Sequence, residues 1–233
     1  MRGRRYLRPW LWVLGGAALW AGPALAHGIG GKDAAFVAAT KGVDVLPFIY
    51  LGAKHMVTGY DHLLFLLGVI FFLYRLKHVA LYVTMFSLGH SITLLLGVLT
   101  NIHVNPYLVD AVIGLSVAWK AFDNLGGFKS VFGLTLDNRL VVLAFGLVHG
   151  FGLATKLQEL KLSPTGLIPN MIGFNVGVEI GQLLALSAAI LLITAWRRLP
   201  SFGRTAAAAN IVLLFAGFLL MDYQLAGFFS GKA

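Results

Sequence analysis

His55-Met-Val-Thr-Gly-Tyr-Asp61-His62 runs directly into Leu63-Leu-Phe-Leu-Leu-Gly-Val-Ile-Phe-Phe-Leu-Tyr74. The second half is apolar without interruption, and with the residues leading into it predicts a helix over 56–74, close to the ~20 residues that a bilayer core requires. The first half sets two imidazoles and a carboxylate at the mouth of that helix. His55 and His62 are seven residues apart, so a continuous helix puts both rings on one face, with Asp61 turned about 100° from His62. Imidazole and carboxylate are ligands for divalent transition ions, and Asp61 is also placed to fix a ring's tautomer by accepting its N–H.

The rest of the chain has the same character. Hydrophobic residues make up 58% and mean hydropathy is +0.83, against about 45–50% apolar content in soluble domains. This composition predicts an all-α integral membrane protein. A length of 233 residues accommodates one bundle of about six spans and little else. Apolar runs between turn and charge clusters place them near 56–74, 79–99, 106–123, 139–157, 167–195 and 205–225. The absence of cysteine excludes disulfides, thiolate metal sites and thiol redox chemistry.

The first apolar run is not a span. Arg2, Arg4, Arg5 and Arg8 precede the run from Trp10 to Trp20, followed by Pro23 and Ala24-Leu25-Ala26. That is the pattern of a cleaved signal peptide over 1–26, and cleavage there makes His27 the amino terminus, where amine and imidazole together can chelate a metal. Removing those four arginines leaves fourteen Lys and Arg against nine Asp and Glu, a net +5. An excess of this size suits lipid headgroups at the membrane flanks, and no basic stripe points to nucleic acid. A periplasmic segment over 27–54 follows, in which Val45-Leu-Pro-Phe-Ile-Tyr-Leu51 reads as an interfacial helix. The transmembrane domain then occupies 55–233. A cleaved signal puts the mature amino terminus in the periplasm and the turns bearing Arg75/Lys77, Lys129/Arg139 and Arg197/Arg198/Arg204 in the cytoplasm.

Ionisable residues within spans cost at least about 2.5–3.5 kcal/mol each and mark function by default. His62, His90, His149 and Glu179 fall on four different predicted spans, all at or outside the midplane. Asn175, Glu179 and Gln182 share a polar face of the fifth span, while Gly173, Gly177 and Gly181 form a small-residue stripe on another. That stripe admits close approach of a helix from the same chain or from a second copy in a homodimer. Lys120 and Asp123, near the inner end of the third span, read as snorkelling side chains of structural importance. The candidate metal ligands are therefore His55, Asp61, His62, His90, His149, Glu179 and His27, supported by Asn175 and Gln182.

Four segments, Gly52-Ala-Lys-His55-Met-Val-Thr-Gly-Tyr-Asp61-His62-Leu-Leu-Phe-Leu-Leu67, Phe86-Ser-Leu-Gly-His90-Ser-Ile-Thr-Leu94, Phe145-Gly-Leu-Val-His149-Gly-Phe-Gly-Leu-Ala154 and Phe174-Asn-Val-Gly-Val-Glu179-Ile-Gly-Gln182, resemble the HupE/UreJ family of small bacterial membrane proteins. The resemblance implies six spans in the bacterial cytoplasmic (inner) membrane after a cleaved signal, and a secondary permease for Ni²⁺ or Co²⁺ serving hydrogenase or urease maturation. It carries the family's His-x5-Asp-His motif onto His55, Asp61 and His62, and its His-Gly motif onto His149 and Gly150. The nickel-permease branch has an acidic residue shortly after His-Gly, whereas Leu153, Ala154 and Thr155 follow here. Glu179 takes that place, which implies a sister branch.

Imidazole with carboxylate suits Ni²⁺, Co²⁺ or Zn²⁺ better than Mg²⁺ or Ca²⁺. Two other readings use the same residues: a zinc-dependent intramembrane hydrolase with Asp61 or Glu179 as general base, and a metal-binding accessory protein that transports nothing. A polar path below the site separates them from a permease. The sequence offers only Lys120 and Asp123 there.

Overall fold

The computed structural model describes residues 31–73, 76–160 and 162–231. Residues 1–26, read above as a signal peptide, and His27 lie outside the described residues. Among these the chain is all-helical: α1 (Gly31–Ala39), α2 (Val45–Thr58), α3 (Tyr60–Ile70), α4 (Leu76–Thr100), α5 (Pro106–Asn124), α6 (Gly127–Phe132), α7 (Asn138–Glu159), α8 (Leu167–Arg197) and α9 (Phe202–Phe229). Four helices, Lys77–Thr100, Asn138–Glu159, Leu167–Arg197 and Phe202–Phe229, are long and apolar enough to cross a membrane. Their outward faces carry Leu96, Leu184, Leu191, Leu192, Phe215 and Leu219, all exposed. The helix ends follow local chemistry. Asn105 Oδ1 accepts the amide of Tyr107 at 3.0 Å in front of Pro106, which starts α5, and Asp137 Oδ1 accepts that of Arg139 at 2.9 Å at the start of α7.

Three helix pairs dominate the packing: α2 with α8, α4 with α7, and α5 with α9. Each meets through glycines. A Cβ on Gly150 would collide with His90 O and Thr93 Oγ1, so α4 and α7 touch backbone to backbone at the level of His90. On α8, Cβ atoms at Gly173 and Gly181 would stand 2.9 Å from Val45 Cγ1 and 2.6 Å from Ala53 O, and one at Gly177 would overlap Ile49 O. The glycine stripe of α8 is thus filled by α2. This corrects the expectation of a homodimer through Gly173, Gly177 and Gly181, because that face is covered from within the chain.

The opening stretch behaves differently from its pattern. No single helix spans 56–74. α2 begins at Val45, ends at Thr58 and is followed after Gly59 by α3, so the interfacial helix expected at Val45–Leu51 is the first half of a kinked unit. α2 and α3 together run alongside α8, from Val45 beside Gly173 to Phe71, whose carbonyl accepts Arg197 Nη2 at 2.6 Å. The boundary drawn between 54 and 55 cuts through α2. Two causes act at the kink. Asp61 Oδ1 takes the His62 amide at 2.8 Å in place of a helical carbonyl, and a Cβ at Gly59 would press to 3.0 Å from His62 Nδ1 and 3.1 Å from His55 O. Asp33 accepts a hydrogen bond from Lys54 Nζ at 2.6 Å, linking α1 to α2.

Candidate metal centre

The kink decides where the imidazoles go. His55 sits in the last turn of α2 and His62 in the first turn of α3, so the two rings meet across a helix break and not along one helical face. Their ring centroids are 5.2 Å apart. The close α4–α7 contact brings in His90 and His149, at 5.7 Å and 4.9 Å from the His62 ring. All four imidazoles are buried. One ligand nitrogen from each of His55, His62 and His90 falls within 4.8 Å of the others. Metal–nitrogen bonds of about 2.0–2.1 Å put tetrahedral ligands roughly 3.3–3.4 Å apart, so small ring rotations close the set.

Hydrogen bonding selects the lone pairs. His62 Nδ1 faces Asp61 Oδ1 at 3.1 Å, and since a carboxylate only accepts, Nδ1 carries the proton and Nε2 the lone pair. His149 Nδ1 donates to Phe145 O at 2.7 Å, which fixes the same tautomer there. His90 is the informative member. Its side chain is fully enclosed, and among the described residues neither ring nitrogen has a hydrogen-bond partner; His55 Nε2 is buried without one as well. Buried polar atoms are nearly always paired, and each one left over costs about 1–3 kcal/mol. A cation bound among these rings removes that cost, and the donor set of neutral nitrogens beside one carboxylate is what such an ion requires. Asp61→Asn keeps the size but drops the charge that orients His62. Metal affinity, measured by titration calorimetry, should fall by about 10–100-fold.

Other predicted members stand apart. Glu179 is exposed on α8, and it is not among the described residues whose ligand atoms group with those of His55, His62 and His90. Its companions do face α4. Asn175 Oδ1 accepts Ser91 Oγ at 3.0 Å, next to His90, and Gln182 Nε2 donates to Val83 O at 3.4 Å. Both brace α8 against α4. Sequence reasoning passed over the pair of the buried Asp110 and the half-buried Lys156, whose Nζ–Oδ2 distance is 3.0 Å. Their spacing of 46 residues gave no sign that α5 and α7 would bring them together.

The sequence profile of the family described as HupE / UreJ protein matches residues 31–232. The chain belongs to the HupE/UreJ family. The HupE/UreJ match runs through every helix that contributes an imidazole to the cluster and begins after His27. No curated protein and no solved structure matches the chain. The HupE/UreJ family is associated with nickel and cobalt handling, and this member brings a buried histidine group capable of holding a metal ion.

Proposed function

We propose that the chain is a secondary permease that carries a divalent transition ion, Ni²⁺ or Co²⁺ foremost, from periplasm to cytoplasm. In this reading residues 1–26 are a cleaved signal, the kinked α2–α3 unit and α5 complete six spans with the four long apolar helices, and the protein lies in the bacterial inner membrane. Its cargo would supply hydrogenase or urease maturation. The observation that carries the reading is His90: a fully enclosed imidazole with two unpartnered nitrogens, grouped with His55 and His62 inside a bundle of apolar helices.

The imidazoles substitute for water in the ion's hydration shell. Asp61 supplies negative charge and holds the His62 tautomer, and the carbonyl end of α2, which closes on His55, adds a favourable dipole. A membrane potential suffices as driving force. At about 2.3 kcal/mol per charge per 100 mV, an inside-negative potential favours inward movement of a dication by roughly 4.6 kcal/mol, about three decades of concentration.

Uptake of radiolabelled Ni²⁺, Co²⁺ and Zn²⁺ into proteoliposomes with an imposed potential tests the proposal. Wild type and Glu179→Ala should accumulate ion above the external concentration, and His62→Ala should not. Metal that binds stoichiometrically without accumulating would rule out a permease and leave the accessory protein or the hydrolase.

A further inference from the structure

A second polar chamber lies at the other end of α3. A cavity of about 300 Å³ is lined by Val69, Tyr82, Lys120, Asp123, Asn124 and Asn138, together with Phe72 and Leu73. Lys120 does not snorkel outward as its position near a helix end suggested. It is buried, and its ammonium donates to Asp123 Oδ2 at 2.5 Å and to Asn138 Oδ1 at 3.2 Å. Asn124 commits its amide nitrogen to Gly68 O at 2.8 Å and to the buried Asn210 Oδ1 at 2.9 Å, which leaves its oxygen as an acceptor.

The helices that carry the histidines lead into this chamber. On α4 the residues Tyr82, Phe86 and His90 follow one another at four-residue intervals; on α7 Asn138, Val142, Phe145 and His149 share a face; on α3 His62, Phe65 and Val69 do. Each stripe passes from imidazole through phenylalanine to the lining of the cavity. The three phenylalanines form one layer, with Phe65 5.6 Å from Phe86 and 5.5 Å from Phe145. That layer lies directly against the histidines: Phe86 is 4.9 Å from His149 and 5.9 Å from His62. From His62 to Val69 is about 10 Å along α3.

The geometry points to the chamber of Asp123, Asn124 and Asn138 as a second binding station for the same divalent cation, the one from which it leaves the protein, with Phe65, Phe86 and Phe145 as the closed barrier between the stations. This rests on the permease reading above. Asp123 Oδ2 and Asn138 Oδ1 already accept the positive charge of Lys120, and a dication binding to those oxygens displaces the ammonium from both. Oxygen donors bind these ions less tightly than imidazoles do, which suits a station for release.

The chain contains no cysteine, so single thiols report access without background. Val69→Cys and Asn138→Cys should react with a membrane-impermeant thiol reagent applied at the face bearing Lys77 and Arg139. His55→Cys should resist the reagent from that face and become reactive when Phe86→Ala is added. In the uptake assay Asp123→Asn should slow transport at least about tenfold, with Asp123→Glu recovering part of it, while the calorimetric affinity of the imidazole site for Ni²⁺ stays at the wild-type value. A wild-type rate in Asp123→Asn, or a Val69→Cys that stays unreactive from that face, overturns the second station while leaving the permease intact. Wild-type protein that binds Ni²⁺ without accumulating it overturns the permease and the exit station together.

Discussion

His90→Phe should sharply weaken Ni²⁺ and Co²⁺ binding while leaving the unliganded protein as stable as wild type, or more stable. Among the described residues the ring has no hydrogen-bond partner for either nitrogen, so the apo protein bears a desolvation cost that a phenyl group does not, and this offsets the packing cost of the somewhat larger ring. Affinity should fall by more than about 100-fold, since even the residues that merely orient metal ligands are worth 10–100-fold. Melting in detergent separates the two effects. Wild type should gain about 2.7 kcal/mol at an ion concentration 100 times its Kd, and His90→Phe less than about 0.4 kcal/mol. Phe86→Ala supplies the contrast, because emptying a fully buried phenylalanine site costs about 3–5 kcal/mol of stability.

Gly150→Leu should prevent a stable bundle from forming. Even a single Cβ there overlaps His90 O and Thr93 Oγ1, so a leucine forces α4 away from α7 where His90 and His149 approach. Ordinary overpacking costs about 1–3 kcal/mol, and a clash with backbone exceeds that range because no rotamer relieves it. Thr93 Oγ1 also donates across the seam to Leu147 O at 2.7 Å, a bond that separation breaks. The expected readout is loss of the monodisperse peak in size-exclusion chromatography. Gly203→Ala is the control: nothing lies within 4 Å of a Cβ at that position, and alanine should leave stability unchanged or raise it by up to about 1 kcal/mol.

The long helices were legible because apolar runs bounded by charge and turn residues leave few alternatives. Runs predicted near 79–99, 139–157, 167–195 and 205–225 correspond to Leu76–Thr100, Asn138–Glu159, Leu167–Arg197 and Phe202–Phe229. The run at 106–123 corresponds to Pro106–Asn124, although Asp110, Lys120 and Asp123 keep that helix out of the apolar set. The kink at Gly59 was not legible. Hydropathy averages over it, and its cause is a side chain, Asp61, competing for a backbone amide. His55, His62, His90 and His149 could be singled out because each is an ionisable group in an apolar setting, but their convergence depends on glycine seams that bring the helices together. Glu179 shows the limit of helical phase: an offset of about 40° from Asn175 separates a residue facing α4 from one on the surface. The second chamber escaped notice because Asn124, Asn138 and Asn210 lie on three different helices, and each alone looks like an end residue or an isolated polar group.

X-ray absorption at the nickel edge, on purified protein loaded with one equivalent of Ni²⁺, tests the central claim most directly. The account predicts a nitrogen and oxygen shell with the outer-shell scattering of several histidine rings, and loss of at least one ring's contribution in His90→Phe held at saturating metal. A shell of water and carboxylate oxygens without imidazole scattering, or a spectrum unchanged by His90→Phe, would contradict it.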